Sequence, residues 1–589
     1  MRKIYLLVIM AVLSLTGAAQ GSWAALRDTA PGLNNGVMLL LTNGNIITTI
    51  TDDPLAVWDD SCGPAWNKLI PDSTGSYLNG HWAPMASMQN SRIYFSSWVL
   101  PNGKVYVAGG EFGTGGSMAE LYDPVADTWS PIPGLPTGYR IEDANSQMLP
   151  DGRILQNSAY SEFQGLWLNN YIYDAASNSF SEGPQCFYTD DEATWVKLPD
   201  NSILYEVTGT TQSQRFIPAL NRWIADADLP VNLYDNFGGE TGAGIVLPDG
   251  RALFLGSNGN TAIYTPTGDT TLGSWTAGPV IPNHMGTPDA AAAMLPNGKV
   301  LCAVAPVPTG PQLDSLFQPY MYFYLYDYTT DSFTQIPAPG GGWVINQPSC
   351  SGIMLNLPDG TVLFGVEGSN QYYIYTPDGA PLASGKPTID AIVEKEMLEF
   401  EANGCPYMIT GTLFNGISQG SAYGDDWQMA TNYPVIRLIA NGQTWFAPTY
   451  NWNRTGIQTG NLPDTAYFIV PANIQGGPHF ELVLSANGIS SDTFNFMADP
   501  GCGEGIAPLS KTALEISPNP STGAFVVQLP VNVSNTSAEV YNTLGQKVWQ
   551  QTLSTSQNTL NLSTQATGVY FVQIQTETGV VSGKVMVVR

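Results

Sequence analysis

Short apolar runs bounded by Pro, Gly, Asn and Asp turns recur along most of the chain, a pattern that predicts strands and tight turns. One phrase returns repeatedly: Leu100-Pro-Asn-Gly103, Leu149-Pro-Asp-Gly152, Leu198-Pro-Asp-Asn201, Leu247-Pro-Asp-Gly250, Leu295-Pro-Asn-Gly298 and Leu357-Pro-Asp-Gly360. A looser copy, Leu41-Thr-Asn-Gly44, makes seven, and the last positions of successive copies lie 48 to 62 residues apart. Each copy stands between two apolar runs and reads as a hairpin turn.

A third strand follows in each unit and ends in an aromatic and a turn, as in Leu121-Tyr-Asp-Pro124, Ile172-Tyr-Asp174, Ile263-Tyr-Thr-Pro266, Leu325-Tyr-Asp327 and Ile374-Tyr-Thr-Pro377. Trp129, Phe180, Trp223, Trp275 and Phe333 then open a fourth strand, with Trp66 in the same role in the first unit. Seven units of four strands at a period near 50 predict an all-β fold, a seven-bladed kelch-type propeller over residues 35–384. The periodic aromatics read as blade packing.

Beyond Tyr375 the phrase stops, and residues 385–498 carry strands with Gly and Asn turns, such as Val435-Ile-Arg-Leu-Ile and Phe480-Glu-Leu-Val-Leu, which suit an immunoglobulin-like sandwich. Residues 499–513 read as a linker. The segment 514–589 holds Ser517-Pro-Asn-Pro-Ser-Thr-Gly523, Val540-Tyr-Asn-Thr-Leu-Gly-Gln-Lys-Val548, Gly568-Val-Tyr-Phe-Val-Gln-Ile574 and Gly583-Lys-Val-Met-Val-Val588. Those four motifs, in that order, resemble the C-terminal sorting domain of the type IX secretion system of Bacteroidetes. The resemblance implies a small β-sandwich that engages the secretion machinery, passage across the outer membrane, and release or attachment at the cell surface.

The other end of the chain agrees with export. Arg2 and Lys3 precede an apolar run from Ile4 to Leu15 and the small residues Gly17, Ala18 and Ala19, the pattern of a signal peptide over residues 1–19. No later stretch is long and apolar enough for a transmembrane helix. Export permits disulfides, the six cysteines are even in number, and Cys405 with Cys502 is the expected pair. Of 49 acidic and 21 basic residues, three and four fall after position 509, so the acidity belongs to the propeller and the sandwich. A formal charge of −28 excludes nucleic acid as a partner, since that needs basic patches.

Loops that lead into each first strand converge at one mouth of a propeller. Nine positions before the turn residue stand Asp143, Glu192 and Asp289, and ten before Gly250 stands Glu240; Glu142, Asp190 and Asp191 lie beside them. Four consecutive blades thus offer carboxylates at one level, which suits Ca²⁺ or a cationic or polyhydroxylated ligand. Trp195 and His284 are expected at the same mouth, to add stacking or a ligand nitrogen, and Asp425, Asp426 and Trp427 sit in a polar loop that could reach over it.

A seven-bladed kelch propeller followed by an immunoglobulin-like domain resembles galactose oxidase and glyoxal oxidase over about residues 35–497. That family holds copper with a Tyr-His pair before the last turn, a tyrosine cross-linked to a cysteine, and a histidine of the second domain. The matching places here hold Cys350-Ser351, Asp143 with Tyr94-Phe95, and Thr449-Tyr450-Asn451, while His81, His284 and His479 stand elsewhere. Copper(II) chemistry wants imidazole nitrogens, so the resemblance implies the fold and speaks against copper and its activity. The expected function is therefore a non-catalytic surface or secreted binding protein, with a glycan or protein ligand at the acidic mouth, assisted by Ca²⁺. The alternatives are a carbohydrate-active enzyme using two mouth carboxylates as acid and base, or a divergent oxidase of the galactose oxidase type.

Overall fold

The computed structural model describes residues 20–51, 62–161, 168–189, 191–394, 404–423, 429–471, 474, 479–498, 514–528, 536–542, 546–553, 555, 557–576 and 579–588. The expected leader 1–19, the linker 499–513, Asp190, Cys502 and the residues Asp425, Asp426 and Trp427 lie outside them. The chain forms two compact units, one of residues 1–399 and 405–499, the other of residues 400–404 and 500–589.

Seven antiparallel sheets follow one another along the first unit. Blade 2 is typical, with strands Ser96–Val99, Val105–Ala108, Ala119–Asp123 and Thr128–Ile132 in that spatial order. The repeated phrase makes the turn between the first two strands of each blade; Gly103 closes one such turn at φ +80°, a region open to glycine. The strand-closing aromatics pair as expected: Tyr122 lies opposite Trp129, Tyr173 opposite Phe180, Tyr264 opposite Trp275 and Tyr326 opposite Phe333. Their ring centroids sit 5.0–5.1 Å apart, edge-on or tilted as quadrupoles prefer. Trp66 departs from expectation, because it opens the third strand of blade 1, Trp66–Ile70; the fourth is His81–Pro84.

The propeller begins earlier than residue 35. Blade 7 combines Gly352–Asn356, Val362–Val366 and Tyr373–Thr376 with Ser22–Ala25 as its outer strand. Trp23 there faces Tyr375 just as Trp129 faces Tyr122. The ring is closed by a strand from the far end of the sequence.

Residues 388–497 form two further sheets, with Tyr407 and Phe468 on one meeting Phe496 of the other. This sandwich covers the face of the propeller that carries the repeated turns. A Cβ on Gly44 would strike Phe446, one on Gly250 would approach Gln458, and one on Gly360 would approach Gly488. Hydrogen bonds run from Thr444 N to Ser73 O, Thr455 Oγ1 to Leu149 O, and Gln458 Nε2 to Leu247 O. The segment 418–423 goes deeper and enters the channel. Ser421–Ala422 pairs with the first strand of blade 6 at Ala293 and Ala292, Gln419 and Gln147 exchange amide hydrogen bonds, and the Tyr423 hydroxyl donates to Cys350 O. Residues 418–423 thus occupy the channel from the turn side.

One latch in this interface has a measurable consequence. Lys197, fully buried in blade 4, donates to Thr455 O at 3.1 Å and Thr455 Oγ1 at 3.2 Å, and burial pulls its ammonium down to about 7. The folded chain thus binds fewer protons than the unfolded one between pH 7 and about 10.4, so this residue contributes stability that grows with pH across that window. Thr455 O also accepts from Asn432 and the Thr455 hydroxyl donates to Leu149 O, so Lys197→Met strands no partner. Thermal melts at pH 6 are expected to show Lys197→Met more stable than the parent by about 1–4 kcal/mol, with the gain vanishing by pH 10; an equal loss at both pH values would refute a buried-charge cost.

The second unit has a three-stranded sheet, Glu515–Ser517, Ala524–Gln528 and Gln557–Asn561, and a four-stranded one of Lys547–Leu553, Thr536–Tyr541, Gly568–Thr576 and Gly579–Val587. Phe525, Val540, Leu560, Val572 and Val585 fill its core. Among the described residues no helix is long and apolar enough to cross a membrane.

Candidate functional site: an acidic mouth

Each first strand runs from the mouth towards the sandwich, so the residues before it gather around the axis. Tyr94, Asp143, Glu192 and Asp289 occupy equivalent entries in blades 2, 3, 4 and 6, and all have left-handed backbones, with φ of 51°, 43°, 57° and 46°. A side chain other than glycine, Asn or Asp pays for that conformation, and such positions concentrate at functional sites. Blade 5 differs in that Gly239, at φ +92°, takes the left-handed turn and Glu240 follows it.

Hydrogen bonds lace these entries together. Thr241 Oγ1 donates to Glu192 O at 2.9 Å, and Asp289 N donates to Thr241 O at 3.1 Å. The Asp235 carboxylate accepts from the backbone N–H groups of Phe237, Gly238 and Glu240, building the turn that carries Glu240. As a result the carboxylates of Glu192, Glu240 and Asp289 converge, with one oxygen from each lying within 4.8 Å of the others.

The fourth expected carboxylate, Asp143, stands beside this trio in a second group. Its side chain hydrogen-bonds to Glu111, and the charges of Asp191 and Glu142 lie close by. Burial, reinforced by these like charges, pushes Asp143 up to about 7 and Glu111 up to about 8. Burial and the Asp289 charge push Glu240 up to about 10, and Glu192 rises in the same direction from burial and its neighbour Glu240. Glu206, at the end of the second strand of blade 4, is also buried and raised to about 8.

Two expected site residues are elsewhere. Trp195 is a blade-packing residue, 6% exposed, stacked on Tyr205 and edge-on to Trp223; the direction of its side chain, not its distance from the entry, decides this. His284 occupies an exposed turn, and the carboxylate trio does not include it. Cys405 is disulfide-bonded. Cys62, Cys186, Cys302 and Cys350 are buried thiols outside any disulfide, so the pairing suggested by the even count does not extend to these four.

Glu111 and Glu367 were not expected. Both follow the second strand of a blade, which returns to the mouth; Glu367 accepts from the Tyr94 hydroxyl at 3.4 Å. Nor was Tyr423, which comes up the channel to the end of blade 7. Thr449-Tyr450-Asn451, the expected counterpart of the family's histidine, instead meets the turn at Pro101–Gly103 on the sandwich face. Ser421–Tyr423 enter the channel from that face, and Asp425, Asp426 and Trp427 lie outside the described residues. The places that match the copper ligands of the resembled family hold Asp143, Cys350-Ser351 and Tyr450, and this set lacks the imidazoles copper(II) prefers. The donor set does not fit copper.

Comparison with known proteins adds the following. Residues 515–588 match the family model of the secretion system C-terminal sorting domain, and residues 97–136 match the kelch motif. Two F-box/kelch-repeat proteins of Arabidopsis thaliana are similar, one 47% identical over 58 residues and the other 40% identical over 75. Those matches cover 9% and 12% of this chain and only 15% and 14% of the relatives. Among solved structures, a fungal alcohol oxidase of the AA5 family in complex with copper is similar at 14% identity and a TM-score of 0.48, over 82% of this chain and 100% of that one. A streptogramin B lyase is similar at 12% identity and a TM-score of 0.38, over 61% and 98%. The chain is a kelch-type β-propeller protein with a C-terminal sorting domain, and that domain indicates export to the outer-membrane surface or beyond.

Proposed function

We propose that the protein is an exported, non-catalytic binding protein that captures an extracellular glycan or protein ligand at the acidic mouth of its propeller. The observation that carries this reading is the convergence of acidic side chains from consecutive blades on a mouth whose channel residues 418–423 enter from the opposite end. Such an arrangement gathers acidic groups at the end of the axis away from the sandwich, where a ligand can meet several blades at once. The left-handed backbones of Tyr94 and Glu192 and the crowding of acids at the mouth are costs that packing alone does not require, which is the usual mark of a site. Glycan arrays and pull-downs should show a ligand retained by the chain from Gln20 onward and lost when Asp143, Glu192 and Glu240 are all changed to their amides. Equal capture by that triple variant would move the site away from the mouth.

A second reading has its own observation. Asp143 is pushed up to about 7, and Glu192 is raised by burial, by Glu240 and by the Asp143 charge, so one can hold a proton while the other ionises, as the acid and base of a carbohydrate-active enzyme must. Release of reducing sugar from a polysaccharide panel, abolished by Asp143→Asn, would establish it in place of simple binding.

The sorting domain makes a separate prediction. In a bacterium with a type IX system, a chain ending at residue 498 should accumulate in the periplasm, while the full chain appears at the surface or in the medium. Fractionation and immunoblotting decide this, and surface delivery of the shortened chain would remove residues 514–589 from the export route.

A further inference from the structure

We propose that Glu192, Glu240 and Asp289 hold a hard divalent cation, Ca²⁺, which presents open coordination positions to the ligand of the mouth. This rests on the reading of the mouth as the binding site and names the ion that works there. Three carboxylate oxygens within 4.8 Å of one another are close enough for one cation with Ca–O distances of about 2.4 Å to be reached by all three after small side-chain adjustments. The donors are all carboxylate oxygens, the set that selects Ca²⁺ or Mg²⁺ over zinc and copper.

A second observation points the same way. Glu240 is 8% exposed, and its Oε2 accepts no hydrogen bond among the described residues. The Glu240 side chain meets those of Glu192 and Asp289 within hydrogen-bond reach and feels the charges of Asp289 and Asp235, so a buried carboxyl is turned towards other acids. A protein interior tolerates that where a proton or a cation sits between them, and Ca²⁺ would take the place of the proton. The backbone lacing through Thr241, and the turn built by Asp235, hold the three carboxylates in place against their own repulsion. Ca²⁺ takes six to eight oxygens, so three protein carboxylates leave positions for water and for the hydroxyl or carboxylate oxygens of a ligand.

The test is a calorimetric titration with CaCl₂ and a thermal melt in chelator and in millimolar Ca²⁺, on the chain from Gln20 onward. The parent should release or absorb heat at one equivalent and melt several degrees higher in Ca²⁺, because an ion that binds only the folded state raises its stability. Glu240→Gln and Asp289→Asn should each fold, as shown by a cooperative melt in chelator, and lose at least tenfold in Ca²⁺ affinity. Asp249→Asn, in the turn of blade 5 against the sandwich, should keep the full response. A silent titration of the parent, or an unchanged response in both Glu240→Gln and Asp289→Asn, overturns the cation site. Ligand capture that persists in chelator alongside a silent titration would remove the cation and leave the binding reading standing, whereas capture lost on chelation supports both.

Discussion

Trp23→Ala is expected to lower the stability of the first unit by about 3 kcal/mol, a value ordinary for deleting a packed indole, and to open the propeller ring. Trp23 meets the rings of Phe323, Phe364 and Tyr375 at 5.1, 5.6 and 4.8 Å, and its Nε1 donates to Pro337 O at 2.9 Å. It is the main anchor of the strand Ser22–Ala25, whose other residues are exposed at 22, 24 and 25. The strand joins blade 7 through its pairing with Tyr373–Thr376, the Tyr375 hydroxyl bond to Gln20 O and the Leu26 N–H bond to Tyr372 O, with no short turn to hold it there, since 347 residues of chain separate Ala25 from Tyr373. When it leaves, the strand at Tyr373–Thr376 becomes an unprotected edge.

The equivalent change in blade 2, Trp129→Ala, separates packing from closure. Trp129 lies tilted against Tyr122 at 5.0 Å and near Trp66 at 5.3 Å. Its strand, however, follows Tyr122 after a short turn and cannot diffuse away. Both variants should lose melting temperature. Only Trp23→Ala should also gain a protease-sensitive site before residue 33 under native conditions, because local opening of that strand then precedes global unfolding. Protease resistance equal to that of Trp129→Ala would mean that closure does not depend on this indole.

Trp23 also shows where the sequence was legible and where it was not. Blades 2 to 6 each place a fourth-strand aromatic seven to eleven residues after the third-strand one, so a local pattern search finds them. Blade 7 lacks a successor to Tyr375, and its partner stands far back at position 23. A period finds neighbours in sequence; ring closure joins its two ends, and only the unpaired Tyr375 hinted at it.

The candidate site was legible for a similar reason. Counting back from the turn works because the first strand has nearly fixed length, so Asp143, Glu192 and Asp289 share one structural position, shown by their common left-handed backbone. Counting forward fails, because the loops after the second strands vary: Glu111 lies three residues beyond Ala108, and Glu367 directly follows Val366. Tyr423 was hidden for a different reason. It reaches the axis from another domain, through a strand pairing that no local pattern encodes.

In chelator, the chain from Gln20 onward should lose stability as pH rises from 5 to 7, the reverse of ordinary acid unfolding. The mouth sets the sign. Burial and like charges raise Asp143 to about 7, Glu111 to about 8 and Glu240 to about 10. In the unfolded chain the same carboxyls titrate near 4. Between those values the folded state binds more protons than the unfolded one, so stability is fully present below about pH 4 and is lost as pH climbs through the folded values. Each proton kept by the folded chain is worth about 1.4 kcal/mol per pH unit, or about 2.7 kcal/mol across this window. The competing groups act outside it. Asp72, Asp123, Asp127, Asp174 and Asp327 are lowered by hydrogen bonds, and by Lys104 and Lys68 for Asp123 and Asp127, so their contribution changes only below about pH 4. Lys197 acts in the opposite sense, and only above pH 7. Melts at pH 5, 6 and 7 should therefore fall steadily for the parent and less steeply in Glu111→Gln/Asp143→Asn, which removes two titrating groups and leaves Glu192, Glu206 and Glu240. A melting temperature that stays level or rises to pH 7 in the parent would mean that these carboxyls ionise at ordinary values, and that the mouth is wetter and less crowded than its geometry indicates.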